Sequence, residues 1–454
     1  MIMRELVERF EKQSPNCVML RAALENVFAA DRLDALFEST AEKQSNKRLL
    51  FSQVADIMGL VAAKIQPSVN AGYEAKKTEI AVTIKAVYDK LQRMEANISR
   101  EVVRETAARM AEIVRHMKGE RPSLLRGYHV KILDGNHLRR TERRLKELAA
   151  INAAPLPGHC LVVLDPQLKM AIDVFPCEDA YTQERALLPA VLETVKKRDL
   201  WIADRNFCTT GFLWGIIRQK AYFVIRQHGN ALRYELIGKR RKIGTTETGV
   251  VYEQNLRLFD EVGNTKTIRR ITLELYQPTR DEDNELHILT NLPRKVTAIT
   301  IADLYRNRWT IEIAFNEVAK NLHAEIETLG YPRAALFAFC MGLVVFNVCS
   351  LIRAALRAAH GVEKVEQEFS LYYMCHEISH TYLGMEIAIG DKYWTKKYAD
   401  LSPARMAAEL LRIARQTDLS RYRKHPRGPK KPTKKLNKRR RPHVSTARVL
   451  ANAP

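Results

Sequence analysis

Two short apolar runs in this sequence each end on an aspartate: VKIL precedes Asp134 and LWIA precedes Asp204. Each run reads as a β-strand that delivers a carboxylate to its own C-terminal end, and that edge is where an α/β sheet holds ligands. A third acid, Glu312, lies in a stretch free of Gly and Pro from Lys295 to Leu329, among good helix formers, so it is predicted to arrive on a helix. Two strands and a helix then converge on one pocket. Singly, an aspartate after a strand is usually a turn residue or a helix N-cap, and Asp165 and Asp173 are read as decoys of that kind. The joint pattern carries the argument.

The residues around Glu312 add to it. At about 100° per residue, Tyr305, Arg308 and Glu312 fall within about 60° of one another on a helix, and Asn316, Lys320 and His323 continue the same polar stripe. Ile311, Ala314, Phe315, Val318 and Leu322 form the opposite, apolar side. The expectation is one amphipathic helix whose wet face offers Arg and Lys to an anion, with a merely solvated face as the alternative. Mg²⁺ takes hard oxygen ligands and keeps several waters, so two aspartates and a glutamate suffice for a pair of such ions and leave positions open for phosphate oxygens.

The segment YRNRWTIEIAFNEVAK resembles the tyrosine–arginine–glutamate–lysine signature of bacterial insertion-sequence transposases with an aspartate–aspartate–glutamate active site. In that family the order is Tyr, two residues, Arg, three residues, Glu, six residues, Lys. Tyr305, Arg308 and Glu312 stand at those spacings; Ala319 occupies the last, and Lys320 is one place late. LDGN around Asp134 and ADRNF around Asp204 resemble the other two family motifs, so the likeness covers roughly residues 125 to 360. The resemblance implies Asp134, Asp204 and Glu312 as catalytic residues and metal ligands for two Mg²⁺ ions, with Mn²⁺ able to substitute. It implies water-dependent cutting of an element's end and attack of the freed 3′-hydroxyl on a second phosphodiester, often through a flipped base and a hairpinned end. Tyr305 and Arg308 would hold the strand near the scissile phosphate, with Lys320 as a further contact. Trp309, beside them, is a candidate to stack on a base, against the commoner fate of a tryptophan packed in a core. Arg308→Ala is expected to weaken end processing and leave metal binding intact.

The fold the resemblance implies is a ribonuclease-H-like mixed sheet flanked by helices, with a β-rich insertion before the Glu312 helix and an α-helical N-terminal domain. The residues agree. His159–Leu164 and Lys169–Val174 read as a hairpin, 182–197 as a helix, 210–219 as a helix and 222–226 as a strand. From 227 to 295 short β-branched runs such as GVVYE, RRITLELY and ELHILTN predict several antiparallel strands. The expected organisation is a helical DNA-end-binding domain at 1–120, a catalytic domain at 121–360, a helical region at 361–420 that could serve dimerisation, and a basic flexible tail at 421–454.

Charge and composition bound the partners. Lys and Arg exceed Asp and Glu by 22 and the pI is about 9.7, which points to a polyanion. Arg421 to Arg441 supplies twelve of those cations with no acid, leaving about +10 for the rest of the chain. A tail so basic binds phosphates without reading sequence, or simply solubilises. The seven cysteines show no C-x-x-C pair and no zinc-finger spacing, which fits a reducing cytoplasm, and the DNA partner the resemblance implies would make the protein nucleoid-associated. Residues 334–352 hold only Asn347 and Ser350 as polar groups, long enough for a membrane span, but those two and the neighbouring site favour a buried helix and no membrane. The partner expected is double-stranded DNA, engaged by a homodimer. Two other functions remain open: a nuclease of the same fold that does not join, and a non-catalytic or decayed DNA-binding protein.

Overall fold

The computed structural model describes residues 2–138, 158–179, 182–229, 232–279, 282–326 and 329–425 of the 454-residue chain. Nearly all of the predicted basic tail lies outside the described residues. Nine strands form a single sheet: β1 His129–His137, β2 His159–Asp165, β3 Met170–Cys177, β4 Asp199–Ala203, β5 Tyr222–Arg226, β6 Tyr234–Thr245, β7 Gly249–Phe259, β8 Thr265–Leu275 and β9 Glu285–Thr290. Their order is β3-β2-β1-β4-β5-β9-β8-β7-β6. β1, β4 and β5 run parallel, whereas β2 is antiparallel to both β1 and β3. From β5 onward every pairing is antiparallel, so β6–β9 extend the sheet from the parallel core.

The helices follow in chain order: α1 Ile2–Gln13, α2 Pro15–Val27, α3 Ala30–Thr40, α4 Phe51–Ala62, α5 Val69–Ala75, α6 Ile84–Gln92 and α7 Ala96–Met117 precede the sheet. Within it come α8 Leu188–Leu192 and α9 Thr210–Arg218; α10 Ala298–Arg306, α11 Trp309–Asn321 and α12 Pro332–His360 come next, then α13 Val362–Glu368, α14 Leu371–Ala388, α15 Asp391–Tyr398 and α16 Pro403–Arg415. Strand periodicity sorts the core into two faces. Ile132, Ile202 and Val224 point to the face covered by α7, α10, α11 and α12. Leu133, Trp201, Ala203, Phe223 and Ile225 point to the other, with Phe212, Leu213 and Ile216 of α9. Because both faces are covered, Ile132 and Leu133 of β1 and residues 200–203 of β4 are buried in succession rather than alternately.

Among the described residues, α12 is the one helix long and apolar enough to cross a membrane by length and composition, and its most apolar window is wholly buried inside the protein. Its polar residues have a structural task. β3 is an edge strand with an irregularity in its pairing to β2 between Val163 and Leu164. Asn347 accepts from the Ala171 N–H at 2.8 Å and donates to the Ala171 carbonyl at 2.7 Å, while the Ser350 hydroxyl donates to the Lys169 carbonyl at 2.7 Å. The helix thus completes the backbone bonding of the edge strand, which water would otherwise have to do. Asn347→Leu should keep the volume and leave two buried backbone groups bare, a loss of roughly 2–4 kcal/mol in urea unfolding. A change under about 0.5 kcal/mol would refute that role.

The first helices and the last ones pack against each other. Arg21 of α2 pairs with Glu386 at 2.6 Å and Asp391 at 3.1 Å, and Asn26 donates to the Tyr398 carbonyl at 2.7 Å. Arg412 of α16 holds Glu11 of α1 at 2.6 Å.

Two helix expectations need correction. Residues 182–197 give a 3₁₀ turn at Glu184–Leu187 and only the short α8, because Pro189 has no N–H with which to continue the preceding turn. The stretch around Glu312 is two helices. Asn307 turns its side-chain amide onto the Asp303 carbonyl at 2.9 Å, and Arg308, Thr310 and Ile311 bond three residues back, which tightens the backbone between α10 and α11. Tyr305 therefore sits on α10 and is buried, while Arg308 is the N-cap residue of α11. Leu322 is already extended, and His323, donating its N–H to the Ala62 carbonyl, is off the helix. The six-residue stripe reduces to Glu312, Asn316 and Lys320.

Candidate active site

Leu133 pairs with Ala203 across the parallel β1–β4 pair, so Asp134 on β1 and Asp204, the residue just after β4, stand at neighbouring strand ends, where strands are spaced about 4.8 Å apart. Asp134 shares the face of Ile132, on which Ile311, Ala314 and Val318 of α11 are buried. That packing brings Glu312 to the same place. Arg308 joins them: its guanidinium lies 3.1 Å from Asp134 Oδ2 and 2.7 Å from Glu312 Oε1, and its side chain is only 11 % exposed.

Asp134 feels the charge of both other acids. The Asp134 carboxyl is pushed up to about 7, above all by burial, with the charges of Asp204 and Glu312 adding to the rise and Arg308 opposing it. Its Oδ1 accepts from the Gly135 N–H at 2.9 Å. Asp204 also does the bland task expected of an aspartate after a strand, accepting from the Asn206 N–H at 2.7 Å and capping the Arg205–Phe207 turn. The decoys stay apart from the site: Asp165 accepts from the N–H groups of Gln167 and Leu168, and Asp173 forms a two-pronged pair with Arg100.

The remaining predicted residues are distributed unevenly. Burial raises the Tyr305 phenol, and the Arg308 charge beside it pulls the other way. Trp309 is 57 % exposed, with the Arg308 guanidinium 5.5 Å from its ring centroid, so it is not the packed core residue that a tryptophan in an amphipathic helix usually is. Lys320 is exposed two turns beyond Glu312, about 12 Å along the helix.

A fourth carboxylate was not anticipated. Glu184 accepts from the Asn206 amide at 2.6 Å and lies 3.4 Å from His137, and burial and the Asp204 charge raise its carboxyl although the Asn206 bond lowers it. Arg185 donates to the Asn206 carbonyl at 2.8 Å, so two neighbours grip the loop that carries Asp204. No spacing marks Glu184 in the sequence, since its approach depends on the 3₁₀ turn. It explains Gly135, where a Cβ would meet Glu184 Oε1 at 1.9 Å. Gly135→Ala should displace Glu184, cost roughly 1–3 kcal/mol and slow any reaction that uses Asp134. The double variant Gly135→Ala/Glu184→Ala should recover much of the stability, and strict additivity in thermal unfolding would exclude the contact.

Among the described residues no three His, Cys, Asp or Glu side chains enclose a metal position; Arg308 stands between Asp134 and Glu312 instead. The donor chemistry nevertheless fits a hard divalent cation, since hard carboxylate oxygens come together at one sheet edge with a single guanidinium against them.

Fold and site together define a class: an α/β protein whose mixed sheet gathers acids at the ends of its central strands. Residues 130–348, which include Asp134, Asp204 and Glu312, match the family described as transposase DDE domain. A protein named "Putative transposase y4zB" from Sinorhizobium fredii is 29% identical over 126 residues, 27% of this chain. The match spans a third of that relative's length.

Proposed function

We propose that this chain is the transposase of an insertion sequence, binding the element's terminal inverted repeats and catalysing cut-and-paste movement by DNA cleavage and strand transfer. The observation that carries this is the meeting of Asp134, Asp204 and Glu312, from two strands and a helix, with Arg308 among them. Asp134, Asp204 and Glu312 would hold two Mg²⁺ ions, or Mn²⁺ in their place. Bound there, the metals supply activation of the attacking oxygen and neutralisation of phosphate charge.

The chain's own residues do the rest. Arg308 exchanges its carboxylate partners for a backbone phosphate when DNA arrives, since its planar fork suits either anion. Trp309 offers an exposed ring to an unstacked base, Tyr305 backs Arg308 from α10, and Lys320 meets the strand farther along. The Asn206 loop, gripped by Glu184 and Arg185, keeps Asp204 aimed. Helices of 1–120 would bind the element's ends, and 361–420 would contribute to a homodimer on DNA. A labelled linear duplex bearing the element's ends, incubated with Mg²⁺ or with EDTA, tests the reading. Metal-dependent nicks at the ends and joined products support it; specific binding without cutting would replace it with a non-catalytic DNA-binding role.

A further inference from the structure

β6 is the outermost strand of the sheet and carries four consecutive cations, Lys239, Arg240, Arg241 and Lys242, all exposed. Arg240 is braced, 3.8 Å from the Tyr252 ring centroid and paired with Glu285 at 2.7 Å and Glu274 at 3.6 Å. The other three stand in no ion pair among the described residues. Nearby acids are engaged elsewhere: Glu235 with Arg257, Glu247 with Arg306, and Glu253 with Arg269.

The register places Arg241; Lys242, paired with Tyr252, turns to the opposite face, and Lys239 lies in the break between Ile237 and Arg241. Leu133 is level with Ala203 and Ala203 with Ile225, and the residues that follow them are Asp134, Asp204 and Arg226. Arg226 pairs with Ile288, Ile288 with Ile271, Ile271 with Glu253 and Glu253 with Arg241. Directly paired residues share a sheet face. Ile271 and Ile288 belong to the same core as Ile132, so Arg241 is on the carboxylates' side of the sheet and at their level. Six strand spacings of about 4.8 Å put it roughly 29 Å from Asp134 measured along the twisted sheet, at most about nine base pairs at 3.4 Å each.

We propose that the β6 edge, through Lys239, Arg241 and Lys242, grips the phosphate backbone of the duplex whose scissile bond lies at Asp134, Asp204 and Glu312. The inference rests on the transposase reading for which duplex is held, and extends it to a second, sequence-independent contact on the same molecule. Unpaired cations level with the site are what such a contact requires, because each phosphate neutralised releases condensed counterions. The rival explanation is that the charges merely keep an open sheet edge from pairing with another chain.

The full-length protein and its K239Q/R241Q/K242Q variant are titrated with a 30-base-pair duplex in EDTA over a range of salt concentrations. The slope of log affinity against log salt should become shallower by about 1 for each cation, roughly 3 in all. An unchanged slope and affinity, with increased aggregation of the variant, would establish edge protection and overturn the proposal. Hydroxyl-radical footprinting of the unaltered protein gives a second measure: protection up to about nine base pairs from the cut phosphate is expected, and none there would count against it. Cleavage with Mg²⁺ separates the two readings. If the parent cuts while the slope is unaltered, only the edge contact fails; if the slope changes and nothing is ever cut, the transposase reading fails and the edge contact stands.

Discussion

Asp204→Asn is expected to lower Mg²⁺-dependent cleavage of element ends by roughly 10²–10³-fold or more, the scale seen when one electrostatic group is removed from an active site. The substitution separates chemistry from folding. Asp204 accepts the Asn206 N–H and caps the turn that follows, and an asparagine oxygen caps about as well as an aspartate oxygen. Thermal stability should therefore stay within about 1 kcal/mol of the parent, and duplex binding in EDTA, which depends on cations elsewhere, should barely change. Removing a negative charge next to Asp134 also relieves repulsion in the metal-free protein, so a slight gain in stability is consistent with the scheme. A variant that cuts at the parental rate would remove Asp204 from the reaction. One that neither cuts nor folds would instead assign it to the loop alone, and Glu184→Gln, which disturbs the same loop through Asn206, would then give the same defect.

How much of this could be read in advance varies with the kind of interaction that decides each element. The aspartate-ended strands, the β2–β3 hairpin and the strand at 222–226 are fixed by runs of apolar residues, and such runs are visible in a sequence. The break at Asn307–Arg308 depends on one amide turning back to a carbonyl, which leaves no trace in hydropathy. Tyr305, Arg308 and Glu312 still assemble, but by the angle between two helices rather than along one stripe. Glu184 reaches the site only through tertiary packing, and Asn347, legible as a polar residue in an apolar helix, gains its meaning from the irregular edge of β3. The basic run on β6 is plain in the sequence, yet its alignment with Asp134 is the sum of six strand registers, and those of β1–β4, β4–β5 and β5–β9 join strands far apart in the chain.

Arg308→Ala is the second large effect, and here the structure changes the expectation drawn from sequence, that metal binding would be left intact. Arg308 stands within 3.1 Å of Asp134 and 2.7 Å of Glu312, so in the free protein its guanidinium occupies the electrostatic role that a divalent cation would take. Without it, the shielded Asp134 carboxylate faces Asp204 with no countercharge, while the more exposed Glu312 is screened by water, and the metal-free variant should lose about 1 kcal/mol in chemical unfolding. Mg²⁺ then meets no competing guanidinium: at a pH high enough to keep Asp134 ionised, calorimetric affinity in the absence of DNA should rise at least about tenfold, equivalent to 1.4 kcal/mol, and added Mg²⁺ should restore the lost stability. Cleavage should nonetheless fall by roughly 10²-fold at saturating metal, because the group that holds the phosphate is gone. Arg308→Met, which keeps most of the side-chain volume, should behave alike if charge is the cause. If neither variant binds Mg²⁺ more tightly than the parent, Arg308 does not compete for the site, and its pairing with Asp134 and Glu312 is a packing arrangement that leaves metal entry unaffected.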